Sequence, residues 1–485
     1  MRRWVVWLLG ERRVWACVAA VASLSACAMA QPFMPVRLLH PSGAERDWFG
    51  TAVAVEGDTV VIGSPGDDSG PEGEENHGSV QVFRRGEGGW VLEATLTAAD
   101  ASGGDAFGNA VAISGATLVV GAWGDDNGGT VDQGSAYVFV RTASTWTQQA
   151  RLTAAEGAAG DMFGYSVAIS GDTVVVGART DDIGSAINQG SAFVFTRSGT
   201  AWTQQARLHA PDGGTASEFG ESVAVDGDTV LVSASQDAPN GNRGRVYVFV
   251  RSATAWTLQA MLTAGSAAPN DTFGRSISLA GDTAVIGAPG VDVGGRLDQG
   301  SAYVFTRSGT AWTQRAQLTS SDGAVADLFG YGVSLHGNGI IVGAVNAVVG
   351  GFRRGAAYVF EGSGAGWTQR AKLFTTDVAS GSSFGQKIGF DGVTTVIGAW
   401  CDEVDGSTDQ GSAWVFQHAL RCGTADFDND GDTGTDADIE AFFACLAGSC
   451  CGTCWTLGAD FNGDGDIGTD ADIESFFRVL AGGAC

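Results

Sequence analysis

The sequence predicts a mainly-β protein: a seven-bladed β-propeller of four-stranded antiparallel blades, joined to a small α-helical C-terminal module. Three observations predict it. Phe-Gly recurs at Phe49, Phe107, Phe163, Phe219, Phe273, Phe329 and Phe384, at spacings of 54 to 58 residues. Strand-like runs separated by turn signals follow each copy. After Ala419 that period stops and a shorter, different duplication begins. Several strands in a repeat of this length signal stacked or radially arranged blades.

The chain opens on an export signal, residues 1–30. Arg2, Arg3, Arg12 and Arg13 precede an apolar stretch from Val14 to Ala26, and Ala28-Met29-Ala30 fits a small-x-small cleavage site. The apolar run is too short to span a bilayer. Leu24-Ser25-Ala26-Cys27 resembles a bacterial lipobox, which leaves lipid anchoring at Cys27 as the alternative to plain secretion.

The third copy shows the unit. Tyr165–Ser170 alternates over a strand length, Gly171-Asp172 is a turn, and Thr173–Ala178 is a more apolar strand. A turn this short makes an antiparallel hairpin. After a loop with Asp181-Asp182 come a third strand, Ser191–Thr196, and a fourth, Trp202–Leu208. Period 2 would set Trp202, Gln204, Ala206 and Leu208 on one face. Apolar second strands such as Val174-Val175-Val176 need cover on both faces, which neighbouring blades supply.

The ends of the array predict ring closure. Phe33–Leu38 stands where a fourth strand belongs, because Leu38 precedes Phe49 by the same 11 residues that separate Leu152 from Phe163. The seventh copy ends at Trp414-Val415-Phe416 without a Trp-led strand. Pairing the two ends would complete the last blade and remove open sheet edges. The propeller is therefore assigned to residues 31–419.

The repeat, carried by Phe163-Gly164 with Val176-Gly177-Ala178 and by Phe273-Gly274 with Ile286-Gly287-Ala288-Pro289, resembles the FG-GAP repeat of integrin α-subunit propellers and many exported bacterial proteins. The resemblance covers roughly residues 33–418 and implies seven blades. It also implies Ca²⁺ loops of Asp-x-Asp-x-Asp-Gly type in several blades. This chain departs there. It has Asp67-Asp68, Asp125-Asp126 and Asp181-Asp182, only Asp237 in the fourth copy, and Val345-Asn346 in the sixth. Capping of tight turns by Asp side chains is the competing role. The repeated Trp90, Trp146, Trp202, Trp256, Trp312 and Trp367 read as packing residues, since a repeated position predicts a repeated role. Trp123 and Trp400, in loops, are the better candidates for stacking a ligand, with inter-blade packing as the alternative.

Residues 420–485 form the second unit. Two copies run Ala425–Phe443 and Ala459–Phe477, each with acids or an amide at positions 1, 3 and 5 and Gly at 6. That is the pattern of an EF-hand-type Ca²⁺ loop. Hard Ca²⁺ wants six to eight oxygens, and the Gly permits the turn that converges them. The candidate ligands are Asp426, Asp428, Asp430 and Asp438 in one loop, and Asp460, Asn462, Asp464 and Asp472 in the other. Asp432 and Asp466, at position 7, would contribute backbone carbonyls. Apolar helical faces follow, through Ile439, Phe442, Phe443 and Leu446 and through Ile473, Phe476, Phe477 and Leu480. The tandem resembles a dockerin module, which implies a cohesin-like partner. Position 12 departs from the usual acid, being Ala437 or Ala471. Asp438 and Asp472 would then close loops enlarged by one residue.

Seven of the nine cysteines, Cys401, Cys422, Cys445, Cys450, Cys451, Cys454 and Cys485, crowd the C-terminal end. Export makes disulfides the first reading, with zinc at Cys451 and Cys454 as the alternative. Cys422 with Cys450 or Cys451, and Cys454 with Cys485, occupy matching places around the two loops, leaving Cys401 and Cys445.

Net charge is −27, and residues 422–485 hold 13 acids against one Arg. Such a surface repels nucleic acid and anionic membranes and suits divalent cations. No Gly-x-Ser-x-Gly, His-Glu-x-x-His, P-loop or Rossmann fingerprint occurs, and the five His are scattered. The expectation is an exported, non-enzymatic binding, adhesion or cell-surface assembly protein. Its propeller would present a surface to a protein or glycan, and its tail a Ca²⁺-dependent docking module. The alternative is an extracellular enzyme acting on a glycan polymer and displayed through the same module.

Overall fold

The computed structural model describes residues 35–68, 76–86, 88–237 and 240–417. Within them the chain forms seven four-stranded antiparallel sheets and one small extra hairpin, with no α-helix among the described residues. In the third blade the strands are Phe163–Ser170, Thr173–Ala178, Ser191–Ser198 and Ala201–Leu208, paired in chain order. The first strands of neighbouring blades pack against one another around a central channel.

Six of the seven second strands are buried along their whole length, as their apolar sequences require, among them Thr59–Ser64, Thr117–Ala122, Thr173–Ala178 and Thr229–Ala234. Their cover is the next blade. Val119, Val138 and Leu152 of the second blade pack with Phe163, Val174 and Phe193 of the third. The core is thus a series of seams rather than one mass. The repeated Phe sits in these seams with no solvent exposure in any of the seven copies. Phe163 meets Phe193 edge-on at 5.4 Å, a favoured aromatic geometry. The Gly beside it has no substitute: Gly164 has φ +95°, and a Cβ there would lie 2.2 Å from the carbonyl of Ser135.

The ring closes as the ends of the array predict. Val36–Leu38 is the fourth strand of the seventh blade, paired antiparallel with Ser412–Gln417 through Val36 and Val415, Arg37 and Trp414, and Leu38 and Ala413. Arg37 also reaches Asp402 at 2.8 Å, across 365 residues of chain.

One expectation fails. A β-bulge interrupts the pairing of the third and fourth strands in six blades, between Val194 and Phe195 in the third. Gln204 pairs with Phe195 and Ala206 with Val194, so Gln205 is the extra residue. A bulge shifts the alternation by one. Trp202 and Gln204 therefore face one way, and Ala206 and Leu208 the other.

In the sixth blade the loop between the second and third strands pairs as Val348–Val349 with Phe352–Arg353; the second, third, fifth and seventh blades close the same turn with a single antiparallel bridge, as at Val293 with Arg296. The export segment, the tandem loops with all ten candidate Ca²⁺ ligands, and every cysteine but Cys401 lie outside the described residues. Among the described residues Cys401 has no disulfide partner, and burial pushes its pKa up to about 11.

Candidate ligand site at the channel mouth

Antiparallel order sends the connection into each first strand and the loop between second and third strands to the same face. Parallel bridges such as Gly134 with Phe163 and Gly300 with Phe329 tie these segments across seams. Each first strand thus enters the channel from that face, directly after its Phe-Gly. The next residue is Thr51, Asn109, Tyr165, Glu221, Arg275, Tyr331 or Gln386. Phe and Gly are invariant among the copies, yet this position is polar and nearly different in every one. All seven line one cavity, formed by all seven blades, with about 190 Å³ open to water.

These side chains interlock. Arg275 pairs with Glu221 and donates from Nη2 to the Tyr331 hydroxyl at 2.7 Å. Its guanidinium lies over the Tyr331 ring, 4.7 Å from the centroid. Ser235 donates to Glu221, whose side chain is only 2% exposed. Arg179 stacks 4.1 Å over Tyr165, donates to its hydroxyl at 3.1 Å and pairs with Glu218 at 3.4 Å. Burial raises Tyr165 above the usual phenol range and, opposed by Arg179, raises Glu218. Asn109 Nδ2 donates to the Tyr165 carbonyl at 3.1 Å.

Lys387 stands one position further in. Enclosure by the channel walls, reinforced by the like charge of Arg275, lowers its pKa to about 8, against the opposing pull of Glu221. Channel water reaches the side chain.

Trp400 belongs to the same mouth. It occupies the place in its blade that Arg179 has in the third, donates from Nε1 to Gln386 Oε1 at 2.9 Å, and meets Trp48 edge-on at 6.5 Å. Trp123 has the corresponding place in the second blade and is half-buried. The seven channel residues and Lys387 were not singled out from the sequence. The signal was there: a position that varies inside an otherwise repeated phrase.

The repeated Trp residues do pack. Trp146, Trp202, Trp256 and Trp312 donate from Nε1 to Glu93, Gln149, Gln205 and Gln259 of the preceding blade, at 3.3, 2.9, 2.7 and 2.9 Å. Each acceptor is the bulge residue of its blade. The bulge thus re-aims one side chain across the seam. Arg141, Arg197, Arg251 and Arg307 stack on these Trp rings at 5.1 to 5.5 Å. Each also donates to a Thr of the preceding blade. In the fifth blade the bulge residue is Arg315, which cannot accept, and Trp367 turns instead to the carbonyl of Gly364.

The loop acids have structural partners. Asp68, Asp126, Asp182 and Asp292 accept backbone N–H groups within their loops, at 2.6 to 2.9 Å. Asp125 is buried and accepts from the Tyr137 hydroxyl and from Arg151, both at 2.7 Å. Asp181 pairs with Arg207, Asp237 with Arg245 and Asp402 with Arg37. Arg245 reaches Asp237 from the third strand; where the acid is absent, at Val291 and Ala347, Gln317 and Lys372 stand at the fourth-strand position of Arg151, Arg207 and Arg37. Among the described residues no group of three or more His, Cys, Asp or Glu is arranged to hold a metal.

A second carboxylate ring precedes the Phe. Asp47, Asp105 and Asp161 each accept a backbone N–H three residues back, at 2.6 to 2.7 Å. Burial raises each pKa to about 6; the backbone bond opposes this, and the neighbouring Asp67, Asp125 or Asp181 adds to it.

Family comparison bears on the whole ring. The FG-GAP repeat model matches residues 36–83, 90–139, 146–195, 202–249, 256–305, 312–360 and 367–416, more than half of the chain. No curated protein matches it. Among solved structures the chain is similar to the crystal structure of Saccharomyces cerevisiae Sqt1, with 12% identity, a TM-score of 0.42, and coverage of 80% of this chain and 98% of that one. With seven matched segments, each running from the fourth strand of one blade through the third strand of the next, this chain belongs to the FG-GAP repeat family.

Proposed function

We propose that the protein is an exported, non-enzymatic binding or adhesion protein whose ligand, a glycan or another protein, sits at the channel mouth. The observation that carries this reading is the contrast within one phrase. Phe and Gly repeat because the seams need them, whereas the next residue differs from blade to blade and all seven copies converge on one cavity. A repeated residue is accounted for by a repeated packing role. A set of unlike polar and aromatic groups around a cavity has the makeup of a recognition site. Tyr165, Tyr331 and Trp400 supply apolar faces of the kind that stack on sugar rings or on side chains.

The tail completes the reading. Residues 420–485 act as a Ca²⁺-dependent docking module for a cohesin-like partner, with Asp426, Asp428, Asp430, Asp432 and Asp438 and Asp460, Asn462, Asp464, Asp466 and Asp472 as the two ligand sets. Its oxygen-only donors suit a hard cation. Among the described residues no helix is long and apolar enough to cross a membrane.

A glycan and protein array probed with the full chain, in Ca²⁺ and in chelator, tests both halves. Hits lost in a Tyr165→Ser/Tyr331→Ser variant that melts like the parent would support the mouth. Hits that persist in that variant would move the site elsewhere. Asp428→Ala and Asn462→Ala should each remove one of about two Ca²⁺ sites in titration calorimetry of the full chain. Unchanged uptake in the double variant would place the metal elsewhere.

A further inference from the structure

Lysine is nearly absent from this protein. Of 27 basic residues only Lys372 and Lys387 are lysines. Lys372 has a structural partner, Asp322 at 2.7 Å. Its ladder bond aside (the Lys387 carbonyl accepts from Gly398 N–H), the Lys387 ammonium has no hydrogen-bond or ion-pair partner among the described residues, although it stands inside the channel. Its place is also unusual. The corresponding residues of the other blades are Ala52, Ala110, Ser166, Ser222, Ser276 and Gly332. Five of these small residues line the same cavity as Lys387, which brings the one long side chain at this position.

The charge count narrows what could meet that amine. Among the cavity-lining residues, Glu221 is matched by Arg275, and Lys387 is left over, for a net charge of one positive. At the rim, Arg179 and Glu218 cancel. This one unmatched positive charge in the channel, in a molecule of net charge −27, has no counterion from the fold. A dianion such as phosphate would bring one charge too many. A single carboxylate balances the site, and an ammonium with three donors can hold both of its oxygens. The aromatic groups around it, Tyr165, Tyr331 and Trp400, suit a ring attached to that carboxylate.

We propose that the channel mouth binds the carboxylate of an acidic sugar, a uronate residue of a glycan chain, with Lys387 as its counter-charge. This rests on the binding reading above and deepens it by naming the ligand class. The amine must be protonated to serve. With its pKa lowered toward 8, binding weakens as pH rises through that value. The titratable and charged groups facing Lys387 are Arg275, Glu221, Tyr165 and Tyr331.

The probe is a tri-galacturonate oligosaccharide, compared by calorimetry with its methyl ester, which keeps the shape and removes the charge. With the full chain at pH 7, the acid should bind at least tenfold more tightly than the ester. Lys387→Gln should erase that preference and Lys387→Arg should restore it. Acylation of amines in the native protein should label both lysines, and the acid should protect Lys387 but not Lys372. Equal affinity for acid and ester, or a preference that survives Lys387→Gln, would overturn the inference while leaving a neutral ligand at the mouth. If neither probe binds, the uronate assignment falls. If, in addition, no array hit depends on Tyr165 and Tyr331, the binding reading falls with it.

Discussion

The rim and the channel mouth of this propeller are built from the same repeat, yet they treat it in opposite ways. At the rim, one set of contacts recurs from seam to seam: a Trp indole donating to the bulge residue of the blade before it, with an Arg stacked on the ring. At the mouth, the residue after Phe-Gly is Thr, Asn, Tyr, Glu, Arg, Tyr and Gln in turn. The rim has seven seams to hold, and the same solution serves wherever the residues allow. The mouth surrounds a single space, so its seven contributors act once, together, and need not be alike. Repetition marks what the fold requires, and variation at a convergent position marks what it is free to use.

The sharpest way to strain the structural side is to open the ring. Deleting residues 31–39 removes the buried Leu38 and leaves Asp402, fully buried, without Arg37. The first loss is worth about 2–5 kcal/mol and the second about 3–5 kcal/mol. Thermal melting of the deletion variant should shift further than that of any single rim variant. An unchanged melting curve would show that closure contributes nothing. Next in size is Trp256→Ala, which should cost about 3 kcal/mol through lost packing and the lost bond to Gln205. Gln205→Leu should cost about 1 kcal/mol. The equivalent change at Trp367, which reaches no neighbouring blade through its indole N–H, should cost less than Trp256→Ala, as chemical denaturation of the pair would measure.

The ring of buried acids gives a pH test. Asp47, Asp105 and Asp161 have folded pKa values near 6, above the ordinary 3.8. The folded state therefore binds protons more tightly than the unfolded chain between those values. Stability is lost as pH rises through that window and regained as it falls. The melting temperature should be higher at pH 5 than at pH 7. Asp58 and Asp322, whose pKa values are lowered chiefly by Arg84 and by Lys372 against the effect of burial, work the other way, but only below about pH 4. Asp105→Asn should flatten part of the rise between pH 7 and 5, and a profile that falls over this range would contradict the assignment. Smallest of all should be the effect of mouth substitutions on stability: Lys387→Gln should change it by no more than about 0.5 kcal/mol.

Most of the fold was legible because its causes are local and repeated. Phe-Gly, the turn dipeptides and the apolar second strands each state their own packing, seven times over. Ring closure was legible from the Leu38-to-Phe49 spacing. The bulge was not, because strict alternation runs through Trp202, Gln204, Ala206 and Leu208 without any residue that announces an insertion. Its trace was the acceptor recurring at Glu93, Gln149, Gln205 and Gln259, which gains meaning only when blades are set side by side. The mouth escaped for a deeper reason. Glu221 and Arg275 lie 54 residues apart, and their pairing depends on ring geometry that no local pattern encodes. Loop acids such as Asp126 and Asp182 were legible as turn caps, whereas the burial of Asp125 and Asp181 against Arg151 and Arg207 needed the fold.

The central claim is that repeated residues hold the ring and varied ones bind. The most direct test measures melting temperature and ligand affinity together for Trp256→Ala at the rim and Tyr165→Ser/Tyr331→Ser at the mouth, using the tightest array hit as ligand. The account predicts a crossover: the rim variant melts several degrees lower with affinity within twofold of the parent, and the mouth variant melts like the parent with affinity reduced at least tenfold. A mouth variant that unfolds early yet binds normally, or a rim variant that loses binding while its melting is unchanged, would contradict it.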